Sequence, residues 1–441
     1  MTSEIAILNR EAVALAADSA VTIGTPFYDR PKVFPSANKL FPLSEVHPVG
    51  VMVYGNATLI GTPWETIIKI YRKKLGREKF DTIEEYAEDF VKFLSGNRVL
   101  FPEFLQLRNL KSSVYGYFSF MLDEISEEVQ SLIENEGIIH EDKEEIVLKD
   151  IIMRVIEKHY NIWINSPRAE NIDEDFEEKI KRKYEETFIK LIQERFEKLP
   201  IPDKGMNKLV EIATLLFTRF PEEIVSQGTS GIVIAGFGEN EVFPSLVSLD
   251  VECIIEGQLK YRRGISYKIG EESGAAVIPF AQRDMIDTFM GGIAPNYIDA
   301  IKRYMSEVLG EYTKLIISHL DKYNKKEKQN LVNQLEENIE IIIKDLIMNI
   351  ERFREEKYAQ PILAIVGVLP KDELAALAES LVHLTSLRHR YTPEVETVGG
   401  PIDVAVISKG DGFIWIKRKQ YFKPELNYHI VLGGGRNEQG E

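Results

Sequence analysis

Two short apolar runs at the start of the chain commit its N-terminus to a β-hairpin, and that hairpin decides which side chains the first residues meet. Thr2-Ser3-Glu4-Ile5-Ala6-Ile7-Leu8 is one run, Asn9-Arg10-Glu11 is a polar turn, and Ala12-Val13-Ala14-Leu15-Ala16-Ala17 is a second run ending at Asp18-Ser19. Two strands flanking a three-residue polar connection predict an antiparallel pair. Folding the second run back along the first brings Asp18 close to the start of the chain, at the exit of a buried strand. A carboxylate without a partner is costly there. Lys39, which opens the apolar run Lys39-Leu40-Phe41-Pro42-Leu43, is the predicted partner, with Lys32 as the alternative.

Thr2 follows Met1 directly, and removal of Met1 is expected because the next side chain is small. The mature chain is then expected to begin with a threonine that carries two reactive groups on one residue. Its hydroxyl can attack a carbonyl, and its free α-amine, with an ordinary pKa of about 7.7–8.0, can take the proton. Further along, Val49-Gly50-Val51-Met52-Val53-Tyr54-Gly55-Asn56-Ala57 reads as a buried strand that ends in glycine just before a helix.

This order of features resembles the β subunits of the proteasome and their bacterial ring-forming relatives, which are N-terminal nucleophile (Ntn) hydrolases. The family aspartate stands sixteen residues after the nucleophile in an A-x-D-S context, matched by Ala16-Ala17-Asp18-Ser19 after Thr2. The family lysine begins a K-K-L/V-F stretch, matched by Asn38-Lys39-Leu40-Phe41 once a few extra residues around Pro26 to Pro35 are allowed. Gly231-Ile232-Val233-Ile234-Ala235-Gly236-Phe237-Gly238 is similar to a G-x-x-I-A-G-F-D strand, with Gly238 in place of the acid, and Val242 to Asp250 is similar to the strand that follows it. Gly399-Gly400-Pro401-Ile402-Asp403-Val404 to Gly412 is similar to a late family hairpin. Two family features are absent. No serine occurs in Ile278-Pro279-Phe280-Ala281-Gln282-Arg283, and Glu394-Val395-Glu396-Thr397 replaces a D-x-x-S sequence.

The resemblance implies a four-layer αββα sandwich, two antiparallel sheets between helices, with added helical segments. It implies hydrolysis of peptide bonds without a cofactor or metal, with Thr2 as nucleophile supported by Asp18 and Lys39. It also implies an oxyanion-stabilising amide at Tyr54 or Gly55, a cleft-lining Thr22, and support for the amine from Glu394 or Glu396 and Thr397. Its implied partners are a peptide or protein substrate, further copies of the chain in a homo-oligomer such as a ring, and an unfoldase or regulatory protein. Two other readings stay open: an Ntn amidase for a small amide, and a non-catalytic scaffold like the proteasome α subunits. The intact Thr2, Asp18 and Lys39 set speaks against the scaffold.

Charge and cysteine usage narrow the class. A formal net charge of −16 argues against nucleic-acid or anionic-membrane binding, both of which need a basic face. The single cysteine, Cys253, cannot form an internal disulfide, which fits a reducing compartment; its apolar surroundings read as a buried strand. No signal-like segment and no apolar run of membrane-spanning length is visible, so the expected location is the cytoplasm. The seven histidines show no metal-ligand spacing. The glycine run Gly433-Gly434-Gly435 has no phosphate-loop context.

The hydrolase-like core is expected in three pieces, residues 2–75, 226–294 and 361–441, with helical insertions at 76–225 and 295–360. Asp81-Thr82-Ile83-Glu84 reads as a capping box. Ile83, Tyr86, Ala87, Phe90, Val91 and Leu94 then repeat at helical spacing, as do Phe188, Leu191, Ile192 and Phe196 further on. The second insertion is expected to turn through the charged stretch Asp321 to Lys328. Leu374, Leu377, Ala378 and Leu381 predict a helix packed on a sheet.

Overall fold

A computed structural model of the chain describes residues 3–23, 32–136, 141–197, 199–222, 228–270, 273–320, 322–392 and 398–420. The fold is mixed α and β with antiparallel sheets. It divides into two compact units, each assembled from separate stretches: Met1–Leu40, Glu241–Ser245 and Lys268–Glu441 in one, and Phe41–Asn240 and Leu246–Tyr267 in the other.

The first unit is built on a five-stranded sheet in the order Ala275–Ala281, Ser3–Asn9, Ala12–Ala17, Asp403–Ser408, Gly412–Lys417. The predicted N-terminal hairpin forms with Glu4 opposite Ala17 and Leu8 opposite Val13. Asn9 shapes its turn, its side-chain oxygen accepting the Glu11 and Ala12 amides at 2.9 and 3.2 Å. Ile5, Ile7, Ala12, Ala14, Ala16, Val404 and Val406 form one apolar surface with Leu374, Ala375, Ala378 and Leu381 of the helix Lys371–Arg390. The three alanines of the second strand present almost no side-chain bulk, so the helix can lie close over the strand. Acidic Asp372 and Glu373 begin that helix and Arg388, His389 and Arg390 end it, which suits its macrodipole. Ala6, Leu8, Val13 and Leu15 alternate with the helix-facing residues and are fully buried as well.

The second helical excess of this unit is a packed pair, Pro295–Ser318 and Lys325–Arg354. Its turn is shorter than the charged stretch implied. Asn324 and Glu327 form a reciprocal capping box, so Lys325 to Lys328 are helical. No break occurs at the expected 360/361 boundary. Lys325–Arg354 runs through a π-helical turn, Glu355–Ala359, into the helix Gln360–Val366. Pro361 has no amide to donate and would press on the carbonyl four residues back; the wide turn just before it relieves both conflicts.

The second unit carries a five-stranded sheet in the order Gln258–Lys268, Ser245–Ile255, Ser230–Gly236, Val49–Gly55, Leu40–Pro42. Helices Trp64–Leu75, Ile83–Gly96, Glu103–Glu136, Glu141–Asn165, Glu174–Arg195 and Asp203–Leu215 belong to the same unit. The residues expected as an insertion share one apolar core with the sheet: Tyr86, Phe90, Phe118, Ile156 and Phe188 join Val51, Ile232 and Leu249. All six predicted apolar positions between Ile83 and Leu94 are buried. The cap is displaced by one residue from the expected box. Thr82 accepts the Glu85 amide, while the Glu85 carboxylate returns to the Asp81 amide at 2.8 Å. On the other side of this sheet Met52, Val233 and Ala235 are fully buried too. Among the described residues no helix is long and apolar enough to cross a membrane.

Two helices of this unit, Glu103–Glu136 and Glu141–Asn165, are joined by a buried polar chain. Trp163 Nε1–H donates to Tyr117 Oη at 2.6 Å, Tyr117 donates to His159 Nδ1 at 2.7 Å, and His159 Nε2–H donates to Glu124 at 3.0 Å. A carboxylate can only accept, which sets the imidazole tautomer. Burial pushes the His159 pKa below its ordinary 6.5, outweighing the opposing pull of Glu124. The unfolded chain therefore takes up this proton first as pH falls. Stability from His159 is complete above about 6.5 and falls as pH drops from there to the lower folded value. Urea melts between about pH 7 and about pH 5 should show this loss, and His159→Gln should flatten it.

Candidate active site

Where the first hairpin opens, Asp18 collects four donors. Its Oδ1 accepts the Ser3 amide at 3.0 Å and Lys39 Nζ at 2.5 Å. Its Oδ2 accepts the amides of Ala20 at 3.2 Å and Gly399 at 2.9 Å. The Asp18 amide in turn donates to the Ser3 carbonyl at 3.1 Å. Ser3 N is the atom bonded to the carbonyl carbon of Thr2, so Asp18 holds the peptide unit that residue 2 begins. Thr2 itself lies outside the described residues, as does Met1.

Lys39, the predicted partner, reaches Asp18, and a glycine loop that was not expected there does so too. Lys39 is delivered by the segment just before strand Leu40–Pro42, after Ala37 donates its amide to the Ser19 carbonyl at 3.0 Å. The glycine loop at 399–401 closes over the same turn. Ser19 donates its amide to the Gly399 carbonyl at 3.2 Å and its hydroxyl to the Pro401 carbonyl at 2.5 Å. Gly400 has φ +80° and sits where a Cβ would press on Pro35, which explains a glycine there. Lys32 lies in strand Lys32–Phe34, and its side chain is outside the described set.

One member of the site was not foreseen. Glu4 is completely buried, and its Oε1 stands 3.1 Å from Lys39 Nζ. Lys39 thus serves two carboxylates with a side chain only 7% exposed. The available signal was a single charge inside the apolar run from Ser3 to Leu8, on a strand with both faces buried. No model of a known protein family matches the chain, and no curated protein matches it either.

The remaining predicted residues fall in several places. Tyr54 and Gly55 end the strand Val49–Gly55 in the second unit. Gly55 has φ +77°, and a Cβ there would come within 2.5 Å of the Thr229 carbonyl, so only glycine fits this turn. The Tyr54 ring lies against Gly231, where no side chain could be accommodated. Thr22 was expected on the loop of Asp18; it is in a short strand, Val21–Ile23, paired with Val33, and its side chain is outside the described set. Glu394, Glu396 and Thr397 lie outside the described residues, as does the glycine run at Gly433. Cys253 is buried in a strand, where desolvation pushes its thiol up to about 12, so it is not a nucleophile at neutral pH. Among the described residues no cluster of metal-ligating side chains occurs.

The second unit also holds a cleft of about 480 Å³ that begins at Asn56, the residue after Gly55. Tyr117, Phe120, Trp163 and Phe217 form its aromatic wall, and Asn56 and Thr58 add an amide and a hydroxyl. Most of that wall comes from the helical stretch, which is why no local motif announced it.

Removing one partner of a buried ion pair typically costs about 3–5 kcal/mol, because the other charge stays buried. Lys39→Ala takes the ammonium away from two buried carboxylates rather than one. Its unfolding free energy should therefore fall by at least about 3 kcal/mol in a denaturant melt, with Lys39→Arg retaining more of the wild-type value. A melt unchanged by Lys39→Ala would mean the three side chains are not paired in solution.

Proposed function

We propose that the protein is a proteasome-like threonine peptidase whose working chain starts at Thr2. The observation that carries this reading is the Asp18 carboxylate, which bridges the Ser3 amide at 3.0 Å and the Lys39 ammonium at 2.5 Å. A buried lysine–aspartate pair anchored to the first peptide bond after a threonine is poorly explained by stability alone. It is well suited to placing a cation beside an amine. A nearby positive charge disfavours the protonated amine, which leaves it free to act as a base.

In this mechanism the neutral α-amine takes the proton from the Thr2 hydroxyl as Oγ bonds to the carbonyl carbon of the scissile amide. The C=O electron pair moves to oxygen, and this reading calls for a backbone N–H donor to meet that oxyanion. Loss of one such donor typically costs on the order of 10²–10³ in rate. Collapse of the adduct breaks the C–N bond, the ammonium returns its proton to the leaving amine, and an ester on Thr2 remains. Water then attacks the ester with the same amine as base, releasing the acid and restoring the hydroxyl. Asp18 orients Lys39 and offsets its charge.

The fold belonging to this proposal is the four-layer αββα sandwich. Its support is that each five-stranded sheet has helices on one face, while residues of the opposite face, such as Leu8 and Leu15 in one and Met52 and Val233 in the other, are fully buried. A homo-oligomer, a peptide or protein substrate, an unfoldase or regulatory partner and a cytoplasmic site of action follow from the same reading.

Intact mass of the purified protein should lack the mass of Met1. A panel of fluorogenic peptides should be cleaved by the wild type and left uncut by Thr2→Ala, with at least a 10³-fold loss expected of a missing nucleophile. A retained Met1 in active protein, or equal turnover by Thr2→Ala, would sink the proposal.

A further inference from the structure

The aromatic cleft of the second unit has no part in the mechanism above, and every described residue that lines it belongs to that unit. At about 480 Å³ it has the size of a small-molecule site. Its wall is held in place by the protein itself. Trp163 and Phe217 are buried. The Tyr117 hydroxyl is bonded on both sides, accepting from Trp163 at 2.6 Å and donating to His159 at 2.7 Å. Tyr117 meets Trp163 edge to face with ring centroids 5.6 Å apart, and Phe120 meets the buried His159 in the same way at 5.7 Å. Phe120 itself is half-exposed, so the wall reaches solvent.

The helix Glu103–Glu136 leaves room on this side. Asn109, Ser112, Ser113 and Gly116 all line the cleft, at the i, i+3, i+4 and i+7 positions that share one helix face. A Cβ at Gly116 would meet nothing within 4 Å. A glycine inside a helix costs roughly 0.5–1 kcal/mol relative to alanine, and here the space it leaves belongs to the cleft.

Charge on the wall is cancelled from within. Glu252 is the one acidic or basic residue among the described lining residues. Its Oε1 accepts the Thr229 hydroxyl at 2.8 Å, and its Oε2 takes the ammonium of Lys260. Lys260 is fully buried, donates to the Leu216 carbonyl at 2.8 Å, and lies over the Phe220 and Trp163 rings at 4.5 and 5.5 Å. Cys253, also on the wall, is a neutral thiol at neutral pH. A charged guest would shed water and find the available charges already paired, which is costly. A neutral guest with flat apolar faces meets aromatic rings, where stacking adds to simple burial. Its polar edge can bond the amide and hydroxyls of Asn109, Ser112 and Ser113.

We propose that this cleft is a binding site for a neutral aromatic small molecule of one or two fused rings that carries a hydroxyl or amide at its edge. The site stands on the second unit alone. It requires no chemistry at residue 2, and loss of the peptidase reading leaves it untouched.

The probe is 2-naphthol, set against three relatives of the same skeleton: 2-naphthoate, 2-naphthylmethylammonium and the saturated decahydro-2-naphthol. Isothermal titration calorimetry on the full chain at neutral pH gives the affinities, and circular dichroism establishes that each variant is folded. 2-Naphthol should bind saturably. The carboxylate and the ammonium should bind at least about tenfold more weakly, as expected for a charge brought into a site with no partner to offer. The saturated alcohol should also bind more weakly, because it lacks the ring faces. Gly116→Leu fills the open space with a side chain that suits a helix and should weaken 2-naphthol by at least about tenfold through overpacking. Gly310→Leu adds the same side chain to a helix of the first unit, where a Cβ also meets nothing within 4 Å, and should leave binding unchanged. The proposal is overturned by a folded wild type that does not bind 2-naphthol saturably, or by binding that Gly116→Leu leaves intact. Either ion or the saturated alcohol binding as tightly as 2-naphthol overturns it too. So does a change in sedimentation of the ligand-free protein on Gly116→Leu, which would mean that a second copy of the chain fills the cleft.

Discussion

Four donors on one carboxylate organise the start of this protein. Asp18 receives the amide of Ser3 from the first strand, the amide of Ala20 from its own turn, the amide of Gly399 from a loop far along the chain, and the ammonium of Lys39. An ionised carboxylate has about four lone-pair sites to offer, and here each is occupied. The hairpin, the lysine segment and the glycine loop are thereby tied at one point. Whatever chemistry occurs at residue 2 depends on this point, because Ser3 has no freedom to move away from Asp18 without breaking a buried, charge-assisted bond.

The two sheets solve a common burial problem with different materials. In the first unit, alanines 12, 14 and 16 let the helix Lys371–Arg390 settle on the strand. In the second, large side chains such as Phe90, Phe118 and Phe188 fill a deep core between the sheet and a stack of helices. That stack also supplies the aromatic wall of the cleft beside Asn56. The helical stretch between the glycine strand and the next strand of that sheet is thus an integral part of a core rather than an appendage to one.

Local patterns made several parts legible in advance. The hairpin followed from two apolar runs and a polar turn, and the amphipathic repeat from Ile83 to Leu94 followed from helical spacing. The pairing of Asp18 with Lys39 followed from the cost of burying a lone carboxylate. Other features depended on contacts that no local pattern encodes. Glu4 had no assigned role in the apolar run at the chain start, and only burial of both strand faces made it a partner for Lys39. Asn324 capped the helix earlier than the charge run suggested, because a reciprocal hydrogen-bond pair outweighs the preference of clustered charges for a loop. The wide turn at Glu355–Ala359 carried a helix through Pro361, where a break was the simpler expectation.

The sequence by itself determined the N-terminal hairpin, the amphipathic helix from Ile83 to Leu94 and the pairing of Asp18 with Lys39, since these rest on periodicity and on the price of an unpaired buried charge. Tertiary structure decided that Lys39 answers to two carboxylates, that Gly399 donates to Asp18 across 381 residues of chain, and that the helical stretch shares a core with a sheet. The reason is physical: burial and long-range hydrogen bonding are properties of neighbours in space, and a strand cannot announce what will cover its second face.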